Sequence, residues 1–285
     1  MKNLILTPNP YRDKNFHTLR NAMQILKEAG FQVKVCLPFE VDHSCELPRD
    51  IHFSRLDREL GNADLVICFG GDGTILHMAK AATKRGLPLL GVNIGTMGFM
   101  AELESTELDK LKLLSTGKYR IDSRMMLDVT VQRDREIIFH DICLNDAVIT
   151  KGAVARIVHL AVKCDGIQAM ECGGDGIIIS TPTGSTAYTL SAGGPIIEPN
   201  ANCMAVTPIC AHELGVRPFV LSDERVVTIA AGAEDNKAYL SSDGGTPLEL
   251  EPSDTVTIRR SQWQTRLVRL KSIGFYQLIY KKLSI

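Results

Sequence analysis

The pattern of helix-like and strand-like segments changes once along the chain, and this change limits the possible folds more than any other feature. Through roughly the first 105 residues, apolar runs such as 64–69 alternate with segments of helical spacing such as 13–29. From Arg120 to about Arg260, short Val/Ile/Thr runs are broken by Gly, Pro and Asp. We therefore predict an α/β unit with a parallel, doubly wound sheet, followed by a β-rich unit.

The change between these two sequence patterns predicts the domain boundaries. Residues 1–120 form a Rossmann-like α/β domain, residues 121–263 form a β-sandwich-like domain, and residues 264–285 form a tail without strand alternation throughout. Two local predictions accompany this division. Ser105 and Thr106, with Asp109 three residues after the threonine, resemble a capping box that opens a helix running to Gly117. Residues 185–192 are predicted to form a short helical insertion among the strands.

Composition excludes several classes of protein. The chain has 285 residues, 45% of them hydrophobic and 23% charged, with a net charge of −1. No overall field therefore attracts nucleic acid or an anionic membrane, and an anionic ligand must be held by local groups. The first apolar run is shorter than that of a signal peptide, and no later run reaches the ~18 residues of a spanning helix. We expect a cytoplasmic protein with no membrane or nucleic-acid partner.

The eight cysteines have spacings that do not predict a metal site. They form no C-x-x-C pair and no zinc-finger pattern. Reduced thiols, mostly buried, are the favoured interpretation, and a metal site built on Cys203, Cys210 and His212 is disfavoured. No residue is assigned as a metal ligand.

The stretch CFGGDGTILH, residues 68–77, places three glycines and a carboxylate between an apolar run and a helical segment. Glycines allow close approach of a ligand, and the N–H groups that begin a helix attract phosphate. Because the carboxylate of Asp72 repels phosphate, it needs another use. It could accept a proton from a hydroxyl that attacks phosphorus, help to hold Mg²⁺, or cap the helix. G-x-x-x-x-G-K-[ST] and G-x-G-x-x-G are both missing, which excludes a P-loop and an ordinary dehydrogenase fingerprint.

Two further stretches suit a nucleotide. In GGDGIIISTPTGSTAYTLSAGGP, residues 173–195, an apolar run enters a bend of small hydroxyl residues that precedes a short helix with Tyr188. Its alternative is a capped helix with a tyrosine in the core. In Leu144-Asn145-Asp146, the carboxylate could accept both hydroxyls of a ribose, although Asn-Asp is also ordinary turn composition.

Taken together and in this order, these stretches resemble the NAD kinase family. The resemblance rests on GGDGT at 70–74, LND at 144–146, DGIIISTPTGSTAYTLSAGGPI at 175–196 and TPIC at 207–210, with GVNIGTMGF at 91–99 and RMML at 124–127 in agreement. It spans about residues 64–260, and the TPTGSTAY block is its most specific part. Ala211 and Gly215 depart from the more usual Pro and Ser of the family, which leaves the role of His212 open.

The resemblance implies a reaction and a set of site residues. The family transfers the γ-phosphoryl group of ATP to the 2′-hydroxyl of the adenosine ribose of NAD, with Mg²⁺ or another divalent metal. It implies that Asp72 is the general base and that the tail returns to the first domain. It also implies that the chain forms a homo-oligomer, a dimer or tetramer. The implied nucleotide-binding residues are Gly71, Gly73, Thr74, Asn145, Asp146, Asp175, Thr186, Ala187, Tyr188 and Ser191. A lipid kinase with the same GGDGT turn and a non-catalytic dinucleotide sensor are the alternatives.

Overall fold

A computed structural model of the chain describes residues 1–42, 45–95, 98–152, 156–232, 237–272 and 274–283. Its internal contacts divide the chain into two units. The N-terminal unit comprises Met1–Ser123 and Thr265–Ile285, and the C-terminal unit comprises Arg124–Gln264. Two residues of the GVNIGTMGF phrase, Thr96 and Met97, lie outside the described residues.

The strands of the described residues are β1 (Asn3–Pro8), β2 (Gln32–Cys36), β3 (Phe53–Ser54), β4 (Leu65–Gly70), β5 (Leu89–Asn93), β6 (Leu103–Glu104), β7 (Arg120–Arg133), β8 (Glu136–Cys143), β9 (Asp146–Lys151), β10 (Val158–Cys164), β11 (Ile167–Gly174), β12 (Gly176–Ser180), β13 (Cys203–Ile209), β14 (Phe219–Ser222), β15 (Val227–Gly232), β16 (Ala238–Ser242), β17 (Leu248–Leu250) and β18 (Thr255–Arg269). The α-helices are α1 (His17–Glu28), α2 (Leu56–Glu59), α3 (Asp72–Lys84), α4 (Tyr188–Ser191) and α5 (Phe275–Leu283). Short 3₁₀ segments cover Lys14–Phe16, Leu60–Asn62, Ser105–Thr116 and Gly184–Thr186.

The sheet of the N-terminal unit is parallel and changes direction at one point. Its order is β5-β4-β1-β2-β3, with Leu4 paired to both Val33 and Leu65. From β1, the chain adds β2 and β3 on one side, and it then adds β4 and β5 on the other. The gap beyond the carboxyl ends of β1 and β4 is therefore the topological switch point, where ligands of such sheets bind.

Helices cover both faces of this sheet, which confirms the doubly wound prediction. On one face, Leu19 and Leu26 of α1 pack with Leu111 of the 3₁₀ segment in a core that includes Leu90 and Val92. Gly91, between those two residues in β5, points to the other face, where an added Cβ would lie 2.3 Å from Cδ1 of Ile75 in α3. Alternate residues of each buried strand therefore contact different helices.

Two helix boundaries differ from the sequence prediction. The first α-helix begins at His17, not Asp13, because the Asp13 carboxylate accepts the N–H groups of Thr18 and Leu19. The capping box lies two residues before its predicted place. Glu104 and Glu107 form it, since the 3₁₀ segment already begins at Ser105, so the Thr106–Asp109 prediction was wrong. The predicted insertion at 185–192 is a 3₁₀ turn followed by the single-turn α4.

The C-terminal unit packs antiparallel strands into a sandwich, as the Val/Ile/Thr runs predicted. One sheet includes β11, β10, β15 and β18 in that order, and the other has the order β14-β13-β12-β9-β16-β17. Val162 and Ile229 of the first sheet and Ile177 and Ile179 of the second share one buried core. Ile178 points to the opposite face and packs against other buried residues, so the central strand β12 is apolar on both faces.

Candidate active site

The GGDGT turn lies at the switch point of the N-terminal unit, where β4 ends and α3 begins. Asp72 is the first residue of α3, and its side chain makes no hydrogen bond that caps this helix. Instead, its carboxylate accepts the backbone N–H of Phe99 at 2.5 Å and that of Met100 at 3.0 Å. The helix-capping interpretation of Asp72 was therefore wrong. The two N–H groups orient a carboxylate that keeps further lone pairs for a substrate.

Gly98 permits this contact. A Cβ added at residue 98 would lie 2.0 Å from Oδ1 of Asp72, a separation that atoms cannot adopt. The segment from Gly98 to Met100 therefore reaches the carboxylate only because residue 98 has no side chain. Sequence reasoning identified the GVNIGTMGF phrase as a family signature but did not connect it to Asp72.

The neighbouring residues of the turn have different roles in the structure. A Cβ added at Gly71 or Gly73 would meet no atom within 4 Å, so both positions face open space beside the start of α3. Thr74 is buried, and its hydroxyl accepts a hydrogen bond from Asn9 at 3.1 Å across the switch point. Gly71 and Gly73 remain predicted phosphate contacts, whereas the Thr74 side chain packs within the turn.

The end of the chain is tied to the segment that holds Asp72. Arg269, at the end of β18, donates to the Met100 carbonyl at 2.9 Å and to the Asp122 carboxylate at 3.0 Å. One Glu102 oxygen accepts the N–H groups of Leu270 at 2.7 Å and Lys271 at 2.5 Å. Residues 100–102 thus connect the site to the tail, and this connection has no signal in the local sequence.

A resident metal site is not apparent in the part of the chain that the structure describes. No group of three or more His, Cys, Asp or Glu side chains there is arranged to hold an ion. Both Asp72 oxygens already accept N–H groups. Mg²⁺ usually keeps several waters and binds through substrate phosphates with one or two carboxylates. The donors present therefore fit a metal that arrives with a nucleoside triphosphate, with Asp72 as the one nearby carboxylate of the turn.

In the C-terminal unit, the LND turn is held by a residue that sequence reasoning missed. The Asp243 carboxylate accepts the N–H groups of Leu144 and Asn145 at 2.7 Å each and that of Asp146 at 3.2 Å. The Asp243 N–H in turn donates to the Asp146 carbonyl at 2.9 Å. Asp243-Gly244-Gly245 reads as ordinary turn composition, so only the fold reveals that it orients Asn145 and Asp146.

Asn145 and Asp146 form a buried polar pair. The Asn145 Oδ1 atom is buried and has no hydrogen-bond partner among the described residues. Asp146 is 5% exposed, and burial together with the Asp243 charge raises the pKa of its carboxyl to about 7. Buried polar atoms in native proteins normally have partners, so this pair is suited to receive hydroxyl or amino donors of a ligand.

The TPTGSTAY block packs directly on this turn. The Thr181 N–H and hydroxyl donate to the carbonyls of Asn145 at 2.9 Å and Leu144 at 2.6 Å. Gly184 comes so close that an added Cβ would lie 2.1 Å from the Asn145 carbonyl oxygen. Two motifs that are far apart in the sequence therefore form one cluster, because β12 and β9 are neighbouring strands.

The last residues of the block and the helix α4 place side chains at or near the surface. Tyr188 is 43% exposed, which excludes the alternative of a core tyrosine. Ser191 is also exposed, Ala187 is half-buried, and the Thr186 hydroxyl donates to the Thr183 carbonyl at 3.2 Å. Tyr188 can thus offer its ring to a base, as predicted from the sequence, while Thr186 is partly used within the turn.

Asp175 lies at the other end of the same strand pair. It precedes β12 and forms an ion pair with Lys151, the last residue of β9, at 2.6 Å. Asp146 is the first residue of β9, so five residues at ~3.4 Å each separate the two ends. The structure therefore groups Asn145, Asp146 and the TPTGSTAY turn, but it does not bring Asp175 to them, and its binding role stays a prediction.

The raised pKa of Asp146 predicts a pH dependence of stability. In the unfolded chain an aspartate titrates near pH ~4, so between about pH 4 and 7 the folded state binds more protons. Protonation of Asp146 therefore stabilises the folded state fully below pH ~4, and this stabilisation is lost as pH rises through about 7. We expect Asp146→Asn to gain stability relative to wild type from pH 5 to pH 8.5, as measured by urea unfolding. Asp175→Asn is the control, and a constant difference between Asp146→Asn and wild type would contradict the expectation.

The combination of these features defines a class of protein. A doubly wound unit presents an oriented carboxylate at a helix N-terminus, and a β-sandwich unit carries a buried amide and carboxylate, which together suit a nucleotide-dependent phosphotransferase. Comparison with known families is more specific. The ATP-NAD kinase N-terminal domain matches residues 4–119, and the ATP-NAD kinase C-terminal domain matches residues 144–270. The chain belongs to the NAD kinase family.

Relatives and solved structures agree with this assignment. An NAD kinase of Acetivibrio thermocellus is 36% identical over 280 residues, which cover 98% of this chain and 96% of the relative. One of Geobacter metallireducens is 43% identical over 222 residues, 78% of each chain. The fold is similar to that of yeast NADH kinase in complex with NADH, with a TM-score of 0.86 at 24% identity, covering all of this chain and 88% of that one. It is also similar to that of an Archaeoglobus fulgidus NAD kinase in complex with ATP, with a TM-score of 0.75 at 23% identity and coverage of 100% and 99%.

Proposed function

We propose that this protein transfers the γ-phosphoryl group of ATP to the 2′-hydroxyl of the adenosine ribose of NAD, which gives NADP. The observation that carries the mechanism is the Asp72 carboxylate, oriented by the N–H groups of Phe99 and Met100 beside the start of α3. A carboxylate in this position can accept a proton but cannot bind phosphate directly. Family membership supports NAD as the acceptor.

Each group of residues has a task in this mechanism. Asp72 accepts the 2′-hydroxyl proton on a carboxylate oxygen as that hydroxyl attacks phosphorus. Backbone N–H groups at the start of α3, beside the open positions of Gly71 and Gly73, bind phosphate oxygens, aided by the positive end of the α3 dipole. Asn145 and Asp146 bind the adenosine of NAD, and Tyr188 packs against it. Mg²⁺ or another divalent metal, when bound with ATP, neutralises charge on the phosphates.

The direct test is synthesis of NADP from NAD and ATP with Mg²⁺. Formation of NADP that requires both substrates supports the proposal. Reactions with a diacylglycerol or a sphingoid base in place of NAD test the lipid-kinase alternative. None of the described helices has the length and apolar character needed to span a bilayer. NAD binding without turnover would indicate the dinucleotide sensor instead.

Replacement of Asp146 tests the nucleoside-binding role. We expect Asp146→Ala to weaken NAD binding by ~1.5–3 kcal/mol, because the ribose loses a charge-assisted pair of hydrogen bonds. ATP affinity should change less. Calorimetry measures the two affinities separately, and Glu136→Ala provides a matched loss of one carboxylate at an exposed position of β8. Equal weakening for both nucleotides would show that Asp146 supports the fold instead.

The assembly state and the cellular location belong to the proposal as well. We expect a homo-oligomer, either a dimer or a tetramer, in the cytoplasm. Exposed apolar side chains of the C-terminal unit support association: Ile137 is 69% exposed and Ile167 is 74% exposed. Light scattering coupled to size exclusion measures the oligomeric state, and a monomer at micromolar concentration would contradict this expectation.

A further inference from the structure

Lys282, near the end of α5, has a buried amino group without an evident partner. Its Nζ atom is shielded from solvent and makes no hydrogen bond with the described residues. It lies 3.9 Å from the centre of the Phe99 ring, next to the backbone group that holds Asp72. A cation over an aromatic face gains some stabilisation, but an ammonium has three N–H donors that a ring does not satisfy.

The carboxylates near Lys282 are already engaged by other donors. Asp72 and Glu104 both exert an attractive charge on Lys282, and Arg269 repels it. However, Asp72 accepts the N–H groups of Phe99 and Met100. Glu104 accepts Asn93 at 2.8 Å and the Glu107 N–H in its capping box. Burial outweighs the attraction and lowers the pKa of Lys282 to about 8. The Lys282 Nζ atom is thus a buried cation with no hydrogen-bond acceptor among the described residues.

Contacts of the tail position Lys282 close to the GGDGT turn. Arg269 and Glu102 fix the start of the tail to residues 100–102, and α5 then carries Lys282 onto Phe99. Burial of an unpaired charge lowers the stability of the folded state. An unpaired charge that is kept beside a helix N-terminus therefore indicates a function. The groups assembled there, namely open glycine positions, a helix dipole and an ammonium, are all complementary to phosphate.

We propose that Lys282 binds the terminal phosphoryl group of the nucleoside triphosphate through its Nζ atom. This proposal rests on the proposed function, because it assigns Lys282 to the group that is transferred. When the bond between the γ-phosphorus and its bridging oxygen breaks, the electron pair stays on that oxygen, which becomes part of ADP. The 2′-oxygen forms the new bond to phosphorus, and its proton passes to Asp72. Lys282 gives up no proton and stabilises the charge on the non-bridging oxygens.

Substitution of Lys282 by methionine tests the proposal. Methionine keeps a sulfur–aromatic contact with Phe99 and removes a buried charge, so the variant should fold. We expect ATP affinity, measured by calorimetry without NAD, to fall about tenfold or more, because a charge-assisted hydrogen bond is lost. The affinity for ADP, which lacks the terminal phosphoryl group, should fall much less. Lys282→Arg should restore part of the ATP affinity.

Lys281 supplies the matched control, since it is the exposed neighbour on the same helix. Lys281→Met should bind ATP, ADP and NAD as wild type does. Equal losses for ATP and ADP in Lys282→Met, or the same losses in Lys281→Met, would overturn the proposal. A lower melting temperature with unchanged ATP affinity would assign Lys282 a purely structural role and would also overturn it.

Lysine-detected NMR of the wild-type protein gives a second test that needs no substitution. Adding ATP without NAD should shift the Nζ and Cε signals of Lys282 and raise its apparent pKa, while those of Lys281 remain in place. No change at Lys282 under saturating ATP would contradict the proposal. If ATP shifts Lys282 but the protein makes no NADP, the phosphate contact stands and the proposed acceptor fails, so the two conclusions are separable.

Discussion

Asp72→Asn should lower kcat by ~10² to 10⁴ while NAD affinity changes little. The asparagine side chain has nearly the same size but cannot take the proton of the 2′-hydroxyl. A general base acts mainly in the transition state, so its loss affects turnover far more than ground-state binding. Steady-state kinetics at saturating NAD and ATP give kcat, and calorimetry gives NAD affinity.

The structure also predicts a modest effect of this substitution on stability. Asparagine has one carbonyl oxygen, whereas the N–H groups of Phe99 and Met100 contact two different oxygens of Asp72. One N–H group therefore loses its acceptor, which costs about 1–3 kcal/mol. Asp109→Asn, at an exposed position of the 3₁₀ segment, removes the same charge elsewhere and should change neither kcat nor stability appreciably.

Magnesium titration separates the two chemical roles of Asp72. If Asp72 chiefly holds the metal, excess Mg²⁺ should partly restore turnover in Asp72→Asn. If it is the base, turnover should stay low at every Mg²⁺ concentration. Retention of more than about a third of wild-type turnover at saturating substrates would exclude the general-base mechanism, since base catalysis contributes at least ~10²-fold.

Features that depend on local pattern could be predicted from the sequence. Apolar periodicity indicated parallel strands with intervening helices, and the GGDGT turn was expected at the carboxyl end of a strand, where the structure has it after Gly70. The apolar run Ile177–Ile179 likewise predicted a buried strand. These inferences need only the residues of one segment, because secondary-structure period and turn chemistry act over a few positions.

Features that depend on distant contacts could not be predicted. Three contacts join segments that are far apart in the chain. Asp72 accepts the N–H of Phe99, Asp243 accepts the N–H of Asn145, and Lys282 lies over the Phe99 ring. The sequence around each of these residues does not identify the residue that it contacts. The capping-box error has a similar cause, because the true start of the 3₁₀ segment depends on where β6 ends at Glu104.

Gly184→Ala should have the second-largest effect, because it forces apart the two motifs of the C-terminal unit. The added Cβ would lie 2.1 Å from the carbonyl oxygen of Asn145 and 2.5 Å from its carbonyl carbon. These are backbone atoms, so no side-chain rotation relieves the contact. Either the turn at residue 184 or the LND turn must move.

Both turns are firmly attached, so the displacement should be costly. Thr181 donates to Asn145 and Leu144, and Asp243 holds the same residues from the other side. We expect the free energy of unfolding to fall by about 1–3 kcal/mol, as for an overpacked site. Displacement of Asn145 and Asp146 by even ~1 Å should also reduce turnover by ~10², since catalysis depends on the position of the bound substrate.

Gly215→Ala provides the matched comparison in the same unit, because a Cβ at residue 215 would meet no atom within 4 Å. Urea unfolding and NADP formation are measured for both variants against wild type. We expect Gly215→Ala to match wild type in both stability and NADP formation. Gly184→Ala should be lower in both. If Gly184→Ala is as stable and as active as wild type, the contact between the two motifs does not position Asn145 and Asp146, and their role in NAD binding needs another structural basis.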